Sequence, residues 1–93
     1  MTKADIVNEI SRSTGIEKLV VQKTIETFMD TIKDSLIEGE NVYLRGFCSF
    51  IVKARAAKTA RNISKNTTIT IPAHKVPAFK PSKAFTLEVK DNH

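Results

Sequence analysis

From Lys53 to Ile71 the chain reads KARAAKTARNISKNTTITI, and the first half of this stretch has no apolar stripe at helical or strand spacing. Five of its residues are Lys or Arg and none is Asp or Glu. Removing apolar surface from water is the main force that holds a domain together. About a fifth of the 93 residues therefore adds almost nothing to a core. The remaining body of roughly 70 residues is of a size at which burial gives only marginal stability, and small proteins add disulfides, a metal or another subunit. A disulfide within the chain is excluded, because Cys48 is the only cysteine. Cys48, His74 and His93 stand far apart in the sequence with no ligand pair at zinc spacing, so neither a metal nor a cofactor is expected. A second subunit is the remaining source of core.

Charge is segregated along the chain. Residues 1–40 carry five basic and eight acidic side chains, whereas residues 41–87 carry nine Lys or Arg and no carboxylate at all. The formal net charge of +5 thus understates the field of the second half. A solvated basic surface ordinarily intersperses acids; a long acid-free segment suits a polyanionic partner. No apolar run is long enough to span a bilayer and no signal peptide is evident, so a cytoplasmic protein without membrane association is expected.

The apolar period changes along the chain. Thr2 and Asp5 form a capping-box start to a short first helix with Ile6, Val7 and Ile10 on one face, ended by Gly15. A second helix is predicted from about Glu17 to Glu38. Its stripe of Val21, Ile25, Phe28, Ile32 and Leu36 is widened by Val20, Met29 and Ile37, and Gly39 closes it. So wide a stripe on so small a body also calls for a second copy. Beyond Gly39, NVYLRGFCSFIVKAR alternates as strands around a turn at Arg45 and Gly46, and TTITI returns as a strand with Ile69 and Ile71 on one face. Residues 53–71 then read as a two-stranded ribbon projecting from the body. Pro72 and Pro77 place the return strand at an edge or bulge. Val76 and Phe79 rejoin the core, and Ser82 caps a last short helix bearing Phe85 and Val89.

With GFCSF, ARAAKTARN and VPAF in this order, the sequence resembles the HU and integration host factor family of bacterial DNA-bending proteins, from Met1 to about Lys90. The resemblance implies an α+β fold: two N-terminal helices, a three-stranded antiparallel sheet with a protruding β-ribbon arm, and a short C-terminal helix, in an intertwined dimer. One domain over residues 1–93 is expected, with a helical dimerisation part at 1–40, the sheet at 41–81 with its arm at about 54–74, and the C-terminal helix at 82–93. The implied partner is double-stranded DNA, wrapped and bent through the minor groove by two arms for compaction of the bacterial nucleoid. Lys53, Arg55, Lys58, Arg61 and Lys65 would follow phosphates or enter the groove, and Asn62 would contact base or sugar edges. Gly46 and Phe47 match a turn that brings backbone amides near phosphate, with Arg45 and Lys75 in the same DNA-facing set. Lys3, Lys80 and Lys83 would hold flanking DNA, helped by the helix N-termini at Thr2 and Ser82.

The sequence also departs from the family pattern. Ile63 stands where the family has a proline that wedges between base steps; the alternative is that it packs on the arm itself. Ala60 replaces a glycine, a second arm glycine is missing, and Asn66 is the candidate for any left-handed residue there. Cys48 takes the place of a small residue and reads as a buried structural cysteine. His74 is expected to face solvent or phosphate. No catalytic set is suggested, so an enzyme is not expected. Site-selective bending of the integration host factor type is the alternative to sequence-tolerant binding, and a non-DNA polyanion or anionic-membrane binder is a more remote one. A homodimer and a heterodimer with a paralogue are both compatible with these residues.

Overall fold

A computed structural model of the chain describes the backbone of residues 1–62 and 67–93, and the side chains of residues 1–59 and 68–93. The expectations for Ile63, Lys65 and Asn66 lie outside the described residues, as do those for the side chains of Ala60, Arg61 and Asn62. The order of elements is α1 (Lys3–Thr14), α2 (Lys18–Ile37), β1 (Val42–Leu44), β2 (Cys48–Arg55), β3 (Lys58–Asn62), β4 (Thr67–Ile71), β5 (His74–Pro81) and α3 (Lys83–Asp91). The chain divides into two compact units, Met1–Ser35 and Leu36–His93.

In the first unit, the capping box is present. Thr2 Oγ1 accepts from the Asp5 N–H at 3.3 Å, and an Asp5 carboxylate oxygen accepts from the Thr2 N–H at 2.9 Å. Two amides that a helix start leaves unpaired are thereby satisfied. Gly15 ends α1 in the left-handed region at φ +75° and donates its N–H to the Ser11 carbonyl. The Glu17 carbonyl accepts the first bond of α2, from the Val21 N–H. Val7, Val21 and Ile32 are buried, but Leu19 is 70% exposed and Val20 52%, with Phe28 and Met29 also open in the single chain. The apolar stripe of α2 is thus wider than the surface its own chain covers.

The second unit holds an antiparallel sheet of order β1-β2-β5 and a two-stranded antiparallel ribbon, β3-β4. β1 and β2 pair with Val42 opposite Phe50 and Leu44 opposite Cys48. The turn between them is closed by the Phe47 N–H to the Leu44 carbonyl at 3.0 Å. It needs a positive φ at its third residue, supplied by Gly46 at +82°. The return strand β4 pairs only with β3, and β5 lies at an edge of the three-stranded sheet. Asn41 Oδ1 accepts the Val52 N–H at 3.0 Å and so extends the β1 side of β2 by one side-chain bond. Val52 therefore directs its backbone groups away from β5, and Pro77 opposite it loses no ladder bond by lacking an N–H.

Side-chain packing in this unit centres on four phenylalanines. Phe47 lies 6.2 Å from Phe79 and 5.6 Å from Phe85, and Phe50 lies 5.8 Å from Phe79, between ring centroids. Phe79 thus packs with Phe50 and Phe47, and Phe85 joins them from α3. Cys48 is buried, as expected.

One expectation is corrected. Residues 53–71 do not form one uninterrupted ribbon: the ladder is interrupted on both rails at the same level. The sheet ends with Arg55 opposite His74, and the ribbon begins with Lys58 opposite Ile71. Residues 56–57 and 72–73 intervene without strand structure. Ala56 and Ala57 bring little cross-strand bulk to hold a pair, and Pro72 has no N–H to give to a ladder.

Candidate nucleic-acid interface

Two basic clusters lie in the second unit, one at the Gly46 turn and one at the root of the ribbon. At the first, Ser82 acts as a clasp. Its N–H donates to the Phe47 carbonyl at 2.8 Å and its hydroxyl to the Gly46 carbonyl at 3.1 Å. The same hydroxyl oxygen accepts the Phe85 N–H at 3.1 Å and so caps α3. The turn and the start of α3 are thereby held together across 36 residues of sequence. Beside them an open hollow of ≈ 440 Å³ is lined by Arg45, Lys80 and Lys83 together with Tyr43, Ser49 and Ser82. A helix N-terminus presents unpaired amides and a positive dipole end, and three cations around it make the hollow suited to an anion. The Phe47 amide is already engaged by Leu44, so Phe47 serves the aromatic cluster rather than offering a free donor.

At the root of the ribbon, the register puts Lys53 opposite Val76, Ala54 opposite Lys75 and Arg55 opposite His74. Alternation along the strands then sets Lys53, Arg55 and His74 on one face of the sheet and Lys75 on the other. Lys58 begins β3 opposite Ile71. A second open hollow, of ≈ 510 Å³, is lined by Arg55, Ala56, Ala57, Lys58, Ile71 and His74. Beyond it, β3 carries Arg61 and Asn62 opposite Thr68 and Thr67. The ribbon strands thus carry their cations, Lys58 and Arg61, on β3, and neither a cation nor a carboxylate on β4.

Lys3 belongs to the first unit and is not a free cation. Its Nζ lies 2.8 Å from a Glu26 carboxylate oxygen, and both side chains are roughly half exposed. The hydrogen bond from Lys3, and then its charge, hold the Glu26 carboxyl below the usual carboxylate range. A phosphate recruited by Lys3 must compete with this carboxylate.

His74, expected to face solvent or phosphate, is seated directly across from Arg55 by the pairing of FIVKAR with HKVPAF, a placement that its isolated position in the sequence does not reveal. Among the described residues there is no cluster of side chains that could hold a metal ion, and no helix is long and apolar enough to cross a membrane.

The family model described as "Bacterial DNA-binding protein" matches residues 1–90. DNA-binding protein HU of Geobacillus stearothermophilus is 39% identical over 90 residues, covering 97% of this chain and all of that one. HU of Thermotoga maritima shows the same identity and coverage. Among solved structures, an Anabaena HU–DNA cocrystal structure superposes with a TM-score of 0.90 at 31% identity, covering 96% of this chain and 97% of that one. HU from Thermotoga maritima superposes at 0.67 with 26% identity, covering 96% and 98%. Sequence and fold agree along nearly the whole length, and the chain belongs to the bacterial DNA-binding protein family.

Proposed function

We propose that this protein is an architectural DNA-binding protein that wraps and bends double-stranded DNA as a dimer, with two β3-β4 ribbons in the minor groove and little dependence on sequence. It serves compaction of the bacterial nucleoid, in the cytoplasm, and has no catalytic role. The observation that carries this reading is a ribbon and root with Lys53, Arg55, Lys58 and Arg61 and no carboxylate, in a chain that superposes closely on an HU protein crystallised with DNA. Lysine and arginine neutralise phosphates and release condensed counterions, which supplies affinity without a base code. Arg45, Gly46, Lys80, Ser82 and Lys83 at the first hollow, with Lys75 and Lys3, extend the path along flanking DNA. Asn62, and Lys65 and Ile63 between β3 and β4 in the chain, complete the set, Ile63 as the apolar wedge between base steps. The dimer is supported by the open apolar residues of α2, among them Ile37, which is 81% exposed in the single chain.

The test compares linear, nicked and pre-bent duplexes of unrelated sequence at fixed salt, then repeats the binding across a salt series. Neutralising roughly six to ten phosphates per dimer gives a slope of log K on log[salt] of about −5 to −9. Preference for distorted DNA irrespective of sequence is the expected result, with bending by Ile63→Ala reduced in end-to-end fluorescence transfer. A flat salt response overturns the reading, and a strong preference for one duplex sequence replaces it with site-selective bending.

A further inference from the structure

His74 opens β5 and lies opposite Arg55, the last residue of β2. Its Nδ1 is 2.9 Å from the Pro72 carbonyl oxygen. A carbonyl offers only lone pairs, so Nδ1 is the donor in this contact and keeps its hydrogen in both charge states of the ring. The tautomer is thereby fixed. In the neutral ring Nε2 bears a lone pair; in the protonated ring it bears a hydrogen. A phosphate oxygen is itself an acceptor, so a neutral Nε2 meets it lone pair to lone pair, whereas a protonated one donates a charge-assisted hydrogen bond.

The surroundings suit such a ligand. The hollow at the ribbon root measures ≈ 510 Å³, and its two alanines leave the space between Arg55, Lys58 and His74 open. Arg55 faces it from β2 and Lys58 from β3, with Lys53 two residues back on the Arg55 face and Lys75 beside His74 on the opposite face. Residues 41–87 hold no Asp or Glu, so this segment has no carboxylate to balance a positive imidazole in the free protein. A phosphodiester brings the missing negative partner with it.

We propose that Arg55, Lys58 and His74 form a phosphodiester-binding site at the ribbon root, in which His74 donates only when protonated, so that DNA binding takes up a proton. The site rests on the DNA-binding reading above and adds to it a dependence on pH. Imidazole changes charge between about pH 5 and 8, and a ligand that binds the protonated form binds best at the acid end of that range. Affinity therefore falls as pH rises.

Affinity of the full-length protein for a short duplex is measured from about pH 6 to pH 8 at fixed salt, with calorimetry in two buffers of different ionisation enthalpy. For the wild type a loss of about tenfold over this range is expected, along with net proton uptake, since each proton bound contributes up to one unit of slope in log K against pH. His74→Ala should bind with little pH dependence and without that uptake. His74→Lys, which keeps a charge throughout, should hold the wild-type acid affinity across the range. Equal thermal melts of the three proteins establish that the fold is retained. A wild type that binds with a steep salt slope but no pH dependence overturns this site and leaves the DNA-binding reading standing. Proton uptake that survives in His74→Ala assigns the proton to His93 or the α-amino group and also overturns it. Absence of salt-dependent binding to every duplex overturns the DNA-binding reading itself.

Discussion

The β1-β2-β5 sheet and the β3-β4 ribbon are built from the same two runs of chain, yet different forces hold them. In the sheet, Phe50 and Phe79 pair across strands, Phe47 and Phe85 close over them, and Cys48 is buried. In the ribbon the register runs from Lys58 opposite Ile71 to Asn62 opposite Thr67 with no aromatic in it, and Ile69 is 49% exposed. Aromatic burial gives the sheet kilocalories per side chain. The ribbon has its backbone ladder, each bond worth only about 0.5–1.5 kcal/mol net, and a two-stranded ribbon is marginal by itself. Along β2 and β3 the aromatics therefore lie near the body and the cations Lys53, Arg55, Lys58 and Arg61 lie farther out.

That contrast can be broken most directly at Phe47. Phe47→Ala should cost about 2–3 kcal/mol, below the full cost for a completely buried ring because Phe47 is 48% exposed in the single chain. Thr70→Ala in the ribbon should cost less than about 0.5 kcal/mol. Thermal melts of both variants check the difference, and native-state amide exchange should rank the regions alike, with Thr59 and Thr70 opening well before Ile51 and Val52. Equal costs at the two positions would show the ribbon to be packed.

A smaller effect is expected at Ser82. Ser82→Ala removes the α3 cap and the bond to the Gly46 carbonyl, and should cost about 1 kcal/mol. The loss should speed amide exchange around the Gly46 turn and leave the ribbon unchanged. A change in the ribbon instead would mean that the two regions are mechanically coupled.

The smallest effect lies outside both sheets and serves as their control. Glu26 titrates below the usual carboxylate range because of Lys3, so its contribution to stability is present above that range and is lost as pH falls through the lowered value. Exposed pairs contribute little. Lys3→Met should flatten the acid end of the stability–pH profile slightly and leave exchange in both sheets as it was. An unchanged profile would show that the pair adds nothing to folding.

Much of this architecture is legible in the residues. The apolar period of α2 placed its ends within a residue of Lys18 and Ile37, because a stripe of β-branched and aromatic side chains leaves little choice of face. Thr2, Asp5 and Ser82 announced their caps through local chemistry that needs no tertiary partner. The interruption at residues 56–57 was not legible, since an alanine pair fits strand and coil equally and its consequence depends on Pro72 across the ribbon. The Ser82–Gly46 clasp and the Arg55–His74 pair were hidden for a related reason. Each joins residues far apart in sequence, and only a strand register brings them together.

The matched gaps at residues 56–57 and 72–73 also give the molecule a mechanical property. A strip of two cross-linked rails is stiff where the rungs are present and yields where they are absent. Because both rails lose their rungs at one height, a bend placed there breaks no ladder bond, whereas a bend elsewhere along the strip must. A change of angle between sheet and ribbon at this height is therefore compatible with an intact ladder on either side of it.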